Sequence, residues 1–209
     1  MQIVDWQTLL DKGNYSTTDE YRHVRRDVID AMKHTVWPEE ADTFTIYPES
    51  GKKTGQGNGV KPIKLGFTSY LENHGWTLEK RFGKGRTKGS HPGAFDCHYR
   101  FPNSDVLPFA VEWETGNISS SHRAINRMAL GILEGRLSGG LLMVPSEKLA
   151  RYLTDRVGNS PELQPYIPLW RHWENLAASC YLGIVTFEQD AESIDVPRIP
   201  KGTDGRARV

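Results

Sequence analysis

The stretch that decides the fold consists of two apolar runs joined by a turn: Gly93-Ala94-Phe95-Asp96-Cys97-His98-Tyr99-Arg100-Phe101 and Leu107-Pro108-Phe109-Ala110-Val111-Glu112-Trp113-Glu114-Thr115. Aromatic and β-branched residues dominate both runs, which is typical of strands. The residues between them, Pro102-Asn103-Ser104-Asp105, favour a turn. The stretch therefore predicts a β-hairpin.

Three acids mark this predicted hairpin. Residues two apart in a strand share a face, so Glu112 and Glu114 point the same way. If the hairpin pairs across its turn, Asp96 lies opposite the end of the second strand, beside the two glutamates. Like-charged carboxylates repel one another unless a cation neutralises them, and hard oxygen ligands suit Mg²⁺. The hairpin thus predicts a divalent metal site.

The order Asp96, then Glu112-x-Glu114, resembles the active site of the PD-(D/E)xK nucleases, in which an Asp on one strand precedes a (D/E)-x-K pair on the next. Since an acid stands in place of the Lys, the chain is most similar to the type II restriction endonucleases related to BamHI, BglII and BstYI. A second run, 67–76, resembles the helix ending in Gly-Trp that precedes the catalytic hairpin in BstYI-like enzymes. The chain departs from the pattern because no Pro precedes Asp96, and Glu114 leaves the general base open.

The resemblance implies an α/β fold with a restriction-endonuclease-like core, a mixed central β-sheet flanked by helices on both faces. It implies catalytic roles for Asp96, Glu112 and Glu114, and one or two Mg²⁺ ions in each active site. The implied activity is Mg²⁺-dependent, sequence-specific hydrolysis of double-stranded DNA at a short palindrome by a homodimer. An upstream acid also binds metal in such enzymes; the resemblance offers Glu72 for this role, and Glu79 is its rival. The implied metal ligands are Asp96, Glu112, the Trp113 carbonyl and Glu72.

Composition limits the alternatives. The chain has 209 residues, and its 26 basic and 26 acidic side chains cancel, so any DNA affinity must come from local clusters of charge. We expect one endonuclease domain over 1–196 and a basic C-terminal arm over 197–209. Cys97 and Cys180 form no CxxC motif, which argues against zinc and against a disulfide framework. Without a long apolar run or a signal-peptide pattern, we expect a cytoplasmic protein with no membrane partner.

Basic segments near the hairpin are candidates for DNA contact. The glycine-rich stretch 48–61 is predicted as a loop that orders on DNA, and the cations of 80–88 form the densest positive patch of the chain. Either segment could instead be a solvated loop. The predicted DNA-binding residues are Lys52, Lys53, Gln56, Asn58, Lys61, Lys84, Arg86, Lys88 and Arg123.

Periodicity predicts the remaining elements. Helices are expected up to about Lys33, over 64–73 and over 122–134, the last directly after the hairpin. The apolar run 141–144 predicts a strand buried on both faces. Strand, strand, helix, strand is the order of the nuclease core. Further predictions are strands at 43–47 and 181–187 and helices at 147–156 and 170–179.

Other functions remain open from the residues alone. A retaining glycosidase needs two carboxyl groups about 5 Å apart that flank the sugar, whereas two acids on one face of a strand approach a substrate from one side. A DNA-binding protein without catalysis would use the basic segments and leave the acids structural. Another PD-(D/E)xK nuclease, of the repair or nicking type, would share the acids. No small-molecule substrate is indicated.

Overall fold

The computed structural model describes residues 1–53, 55–81, 93–154, 156–173 and 175–201. Two short 3₁₀ turns, Tyr15–Thr17 and Gln164–Tyr166, accompany the helices and strands. In chain order the elements are β1 (Gln2–Lys12), α1 (Asp19–Lys33), β2 (Thr45–Ile46), α2 (Lys61–Asn73), β3 (Thr77–Arg81), β4 (Ala94–Tyr99), β5 (Phe109–Trp113), α3 (Ile118–Leu133), β6 (Gly139–Pro145), α4 (Glu147–Ala150), α5 (Ser160–Leu163), α6 (Ile167–Arg171), β7 (Cys180–Glu188) and β8 (Ala191–Glu192).

A mixed sheet in the order β1-β7-β6-β5-β4-β3 forms the centre of the described chain, and β2 and β8 pair separately. Strands β5, β6 and β7 are parallel, because α3 carries the chain back between β5 and β6. Strands β3, β4 and β5 are antiparallel neighbours, and β1 joins the other edge antiparallel to β7. The mixed sheet that the sequence predicted is confirmed.

Helices cover both faces of the sheet because side chains alternate along its central strands. On β5, Val111 and Trp113 pack in the hydrophobic cluster that includes α1 and α2. Ala110 packs in the second cluster, which includes α3, α5 and α6. Strands β6 and β7 are buried along almost their whole length, as parallel strands covered on both faces must be. Glu112, two residues from Ala110, therefore lies on the side of the sheet that α3 covers.

The predicted hairpin is β4 and β5. Its paired residues run from Tyr99 opposite Phe109 to Cys97 opposite Val111. Beyond that pair the main chains separate, and the backbone N–H of Trp113 donates instead to the Asp96 carboxylate, with N···Oδ2 at 2.8 Å. The carboxylate of Asp96 thus stands at the point where the two strands diverge.

Local chemistry sets the helix starts. The Asn117 side chain accepts a hydrogen bond from Ser120 N and begins α3 at Ile118, four residues before the predicted start. Proline in the first turn lets α2 begin at Lys61, three residues early, because proline needs no hydrogen-bond acceptor there.

Two predicted helices are wrong. The helix expected over 147–156 ends at Ala150, because the chain then turns to form backbone hydrogen bonds with Asn58, from Asn58 N to Tyr152 O and from Thr154 N to Asn58 O. The helix expected over 170–179 is replaced by the end of α6, and the described residues after Arg171 lead into β7. Upstream, prolines 161, 165 and 168 each lie at the start of a short helical segment, where a missing backbone donor is tolerated.

The described part of the predicted C-terminal arm, 197–201, is anchored to the domain at Ile199, although Pro197, Arg198 and Pro200 are exposed. Ile199 is 1% exposed, and its N–H donates to Asn58 Oδ1. The Trp37 indole donates to Pro197 O at 2.8 Å, and Arg198 pairs with Glu49 at 2.5 Å. Within the described ranges, no helix combines the length and the apolar character that crossing a membrane requires.

Candidate active site

A cleft of about 660 Å³ opens beside the diverging ends of β4 and β5. Its walls come from α2, β3, β4 and the segment after β5, and they include Lys61, Lys64, Glu79, Asp96 and Thr115. Acids and cations therefore line the same cleft, which suits a polyanionic substrate that binds next to a metal.

Asp96 has a partner for each carboxylate oxygen. Oδ2 accepts from Trp113 N, and Oδ1 accepts from Lys64 Nζ at 2.6 Å. Burial lowers the pKa of Lys64, but the hydrogen bond to Asp96 and the negative charges of Asp96 and Glu79 together outweigh that effect, and the net pKa is raised. Lys64 is therefore a permanent cation in the cleft.

Glu112 is the most deeply buried acid of the site, with 1% of its surface exposed. Burial raises its pKa to about 8, with a second contribution from the negative charge of Asp96. Arg127, on α3, forms an ion pair with Glu112 and opposes the increase. A buried carboxylate of this kind depends on its cation, because an unpaired charge is expensive away from water.

Glu114 is partly buried just past the end of β5, where its N–H donates to Met143 O at 2.9 Å. Burial raises the pKa of Glu114, and the charge of Asp96 raises it further. The influence of Asp96 on both Glu112 and Glu114 places the three acids in one electrostatic neighbourhood, as the hairpin argument expected.

These residues fit a divalent cation by their chemistry. Within the described ranges, no three His, Cys, Asp or Glu side chains form a ready-made metal cage, and Asp96 and Glu112 are paired with Lys64 and Arg127. The donors are nevertheless carboxylate oxygens, the ligands that Mg²⁺ prefers. The charge of Asp96 raises the pKa of both neighbouring glutamates, and a bound cation would relieve that repulsion.

The upstream acid that lines the cleft is Glu79, whereas Glu72 lies exposed in the last turn of α2 and is not among the lining residues. The pairing of β3 with β4 explains the position of Glu79. Leu78 pairs with Cys97 and Lys80 pairs with Phe95, so Glu79 and Asp96 lie between the same two pairs. Glu79 also has a φ of 49°, in the left-handed region. Of the two upstream acids, Glu79 is thus the one beside Asp96 in the cleft, and the metal role of Glu72 stays a prediction.

Two cations of the site, Lys64 and Arg127, were not among the predicted site residues. Lys64 lies in the first half of α2, and Arg127 faces the sheet between the buried residues Ala124 and Met128. A sequence signal existed for Arg127, because a helix that follows a strand packs back onto it, and a charged residue among apolar ones on the packed face needs a partner.

The predicted DNA-binding residues have different surroundings. Lys52, Lys53, Gln56 and Lys61 are exposed, and Lys61 lines the cleft. Arg123 is exposed on α3 and donates to Ser120 Oγ at 3.2 Å. Lys84, Arg86 and Lys88 lie outside the described residues.

The prediction that Asn58 binds DNA is corrected by the structure, because its side chain has no donor left for DNA. It is fully buried, and its Nδ2 donates to Tyr47 O at 2.8 Å and to Tyr152 O at 2.9 Å. Its Oδ1 accepts from Ile199 N at 3.1 Å. Asn58 joins three chain segments instead of reading bases.

Comparison with known proteins bears on the family of this chain. The sequence profile of the restriction endonuclease BamHI family matches residues 1–206. The chain belongs to the BamHI family. This family member is 46% identical to the type II restriction enzyme OkrAI of Oceanobacter kriegii over 185 residues, which is 88% of this chain and 89% of that protein. It is 35% identical to the type II restriction enzyme BamHI of Bacillus amyloliquefaciens over 175 residues, 83% and 77% of the two chains.

The fold has a counterpart among solved structures. The restriction endonuclease BglII, complexed with a DNA 16-mer, matches with a TM-score of 0.59 at 8% identity, over 91% of this BamHI-family chain and 79% of that one. At that identity the likeness concerns the fold. The predictions of a type II restriction endonuclease and of a restriction-endonuclease-like core are confirmed.

Proposed function

We propose that this endonuclease hydrolyses phosphodiester bonds of double-stranded DNA at a short palindromic site, as a homodimer that depends on Mg²⁺. The observation that carries the proposal is the grouping of Asp96, Glu112 and Glu114 where β4 and β5 separate, next to a cleft that contains Lys61 and Lys64.

The carboxylates would hold the cation. Asp96, Glu112, the Trp113 carbonyl and Glu79 are the proposed ligands of one or two Mg²⁺ ions. Bound Mg²⁺ lowers the pKa of water and neutralises charge that develops on the scissile phosphate. Trp113 has two roles in this proposal. Its N–H donates a hydrogen bond to Asp96, and its carbonyl oxygen is a proposed metal ligand.

The remaining groups of the cleft position the reactants. Lys64 is raised in pKa and stays charged, so it can bind a phosphate oxygen while its hydrogen bond orients Asp96. The raised pKa of Glu114 makes its carboxylate a stronger base than an ordinary glutamate, which suits a group that orients water and accepts its proton. Glu114 is therefore our candidate for the task that Lys performs in other PD-(D/E)xK nucleases.

Binding of DNA is assigned to exposed cations. Lys52, Lys53 and Gln56 form the tip of the glycine-rich loop, while Lys61 and Arg123 lie nearer the acids. Lys84, Arg86 and Lys88 stay proposed contacts by their charge alone. Since the net charge of the chain is zero, these local cations must supply the phosphate contacts, and affinity should fall steeply with salt.

A homodimer follows from the proposed substrate, because cutting both strands of a palindrome requires two active sites related by a two-fold axis. Helix α3 exposes Leu130 (41%) and Leu133 (58%), and the neighbouring short helices expose Tyr166 (45%) and Leu169 (59%). His122 of α3 packs against the Tyr166 ring with centroids 4.3 Å apart, so these segments adjoin. We assign this apolar face to the dimer interface.

Digestion of a plasmid of known sequence, followed by mapping of the ends, tests the proposal. We expect discrete fragments with Mg²⁺, none with a chelator, and none from an Asp96→Asn variant prepared in the same way. The variant excludes a contaminating nuclease. Specific DNA binding without cleavage by the parent in any divalent cation would instead identify a DNA-binding protein that lacks catalysis.

A further inference from the structure

The guanidinium of Arg127 lies in a slot that three residues build. Glu112 Oε1 accepts its Nη2–H, and the Phe95 ring lies beneath it, with the Arg127 Cζ atom 5.3 Å from the ring centroid. Gly93, at the start of β4, forms the third side. A Cβ on Gly93 would lie 2.5 Å from Arg127 Nη1, and the φ of +76° at this position also favours glycine.

The slot holds Arg127 by several contacts, while Glu112 relies on Arg127 for its counter-charge. The Arg127 side chain is 18% exposed, and its Nε is buried without a hydrogen-bond partner among the described residues. The hydrogen bond between Arg127 and Glu112 is made at Oε1, and Oε2 is not part of it. Arg127 thus controls the direction of a carboxylate that belongs to the proposed metal site.

We propose that Arg127 is a positioning residue of the active site, which holds the Glu112 carboxylate in the orientation that a divalent cation requires. This inference rests on the metal-dependent function proposed above. The physical reason is conformational entropy. The fixed guanidinium already holds the buried carboxylate by one oxygen, so no further ordering of the side chain is needed when the cation binds the other oxygen. Groups that orient metal ligands in this way typically change metal affinity 10- to 100-fold when they are removed.

The competing interpretation is a structural ion pair that joins α3 to β5 and does nothing for the cation. The two roles differ in what they predict for metal affinity in folded protein. A structural pair changes stability and leaves the affinity of the folded site alone, whereas a positioning residue changes affinity directly and is partly restored by lysine, which keeps the charge.

The test measures Mn²⁺ binding to the full chain without DNA, by the electron paramagnetic resonance signal of free Mn²⁺. Arg127→Met should weaken Mn²⁺ binding about 10- to 100-fold, and Arg127→Lys should recover a large part of that loss. Arg22→Met is the matched control, because Arg22 also pairs with an acid, Asp19, but on the exposed surface of α1. It should change the affinity less than about 3-fold.

A second measurement uses plasmid cleavage as a function of Mg²⁺ concentration. For Arg127→Met the half-saturating Mg²⁺ concentration should rise by a factor similar to the loss of Mn²⁺ affinity, and the rate at saturating Mg²⁺ should approach that of the parent. If Arg127→Met does not fold, Arg127→Gln and Arg127→Lys provide the same comparison.

The possible outcomes separate the two proposals. Unchanged or tighter Mn²⁺ binding in folded Arg127→Met, while the parent cuts DNA with Mg²⁺, overturns the positioning role and leaves the proposed function intact. A parent that neither binds Mn²⁺ nor cuts DNA with Mg²⁺ overturns both.

Discussion

Glu112 combines burial with a pKa of about 8, and this has a consequence for folding. Between pH 4.5, the ordinary value, and pH 8 the folded protein retains a proton that the unfolded chain releases. Because the folded-state pKa is raised, the contribution of this group to stability falls as the pH increases through that window.

We therefore expect Glu112→Gln to remove this pH dependence. Relative to the parent, the variant should gain free energy of unfolding on the order of 3 kcal/mol between pH 5 and pH 8. Urea unfolding of metal-free, DNA-free protein at the two pH values measures the difference. Parallel stability profiles for the two proteins would mean that Glu112 titrates normally.

The same side chain separates DNA binding from chemistry. Glu112→Ala removes a proposed metal ligand and a negative charge, so plasmid cleavage in Mg²⁺ should fall by orders of magnitude. DNA binding should survive, and above about pH 8, where Glu112 is ionised, it should tighten without metal because one carboxylate fewer repels the phosphates. Asp96→Asn should behave alike, whereas Glu114→Gln should keep partial activity, since an amide can still orient water. Full cleavage by Glu112→Ala would remove the main support for the proposed site.

Glu79 and Glu72 offer a matched pair of substitutions seven positions apart. Glu79 lines the cleft and Glu72 does not. Glu79→Gln should raise the Mg²⁺ concentration needed for cleavage at least about 10-fold, by analogy with the loss of other metal-site groups. Glu72→Gln should leave the Mg²⁺ dependence unchanged. The reverse ranking in a Mg²⁺ titration of cleavage would restore Glu72 as the upstream ligand.

At the scale of an element, the glycine-rich segment has anchored ends and an exposed tip. Gly51 N donates to Arg151 O, Gly57 N to Glu49, and Gly59 N to Ile199 O. Asn58 is the central anchor, because both ends of its amide are hydrogen-bonded inside the protein.

Replacing that anchor should destabilise the protein. Asn58→Ala leaves buried backbone groups of Tyr47, Tyr152 and Ile199 without their side-chain partner, so the free energy of unfolding should drop by about 2 to 4 kcal/mol. Gln56→Ala, on the exposed tip, should stay within about 0.5 kcal/mol of the parent and weaken DNA binding instead. Denaturant unfolding and a DNA-binding titration on both variants test the contrast; a stable Asn58→Ala protein that binds DNA poorly would return Asn58 to the DNA surface.

For the whole molecule, the prediction concerns assembly. A charge placed on the exposed apolar face should disrupt a dimer, because burying an unpaired carboxylate at an interface is unfavourable. Leu133→Glu should yield monomers in light scattering at micromolar concentration and should lose double-strand cleavage. Ile194→Glu is the control, since Ile194 is 74% exposed on the segment after β8, away from α3. Parent protein that stays monomeric even on cognate DNA would contradict the dimer.

Short-range chemistry explains what the sequence could determine. Strand alternation placed Glu112 and Glu114 together, and the turn at 102–105 made the hairpin that brings Asp96 beside them. Helical periodicity located α1, α2 and α3, with errors of a few residues where Asn117 and proline set the starts. These features depend on residues close in the chain, so spacing alone reveals them.

Contacts between distant segments decided the rest. The position of Glu79 in the cleft came from the register of β3 on β4, and the partners Lys64 and Arg127 came from the packing of α2 and α3 against the sheet. The glycine- and lysine-rich composition around Asn58 predicted that its side chain binds DNA. In the folded protein, its amide instead forms hydrogen bonds that join three segments. Burial is a property of the assembled chain. The sequence by itself therefore determined which acids lie together at the hairpin, and the tertiary structure decided their charge state and their partners.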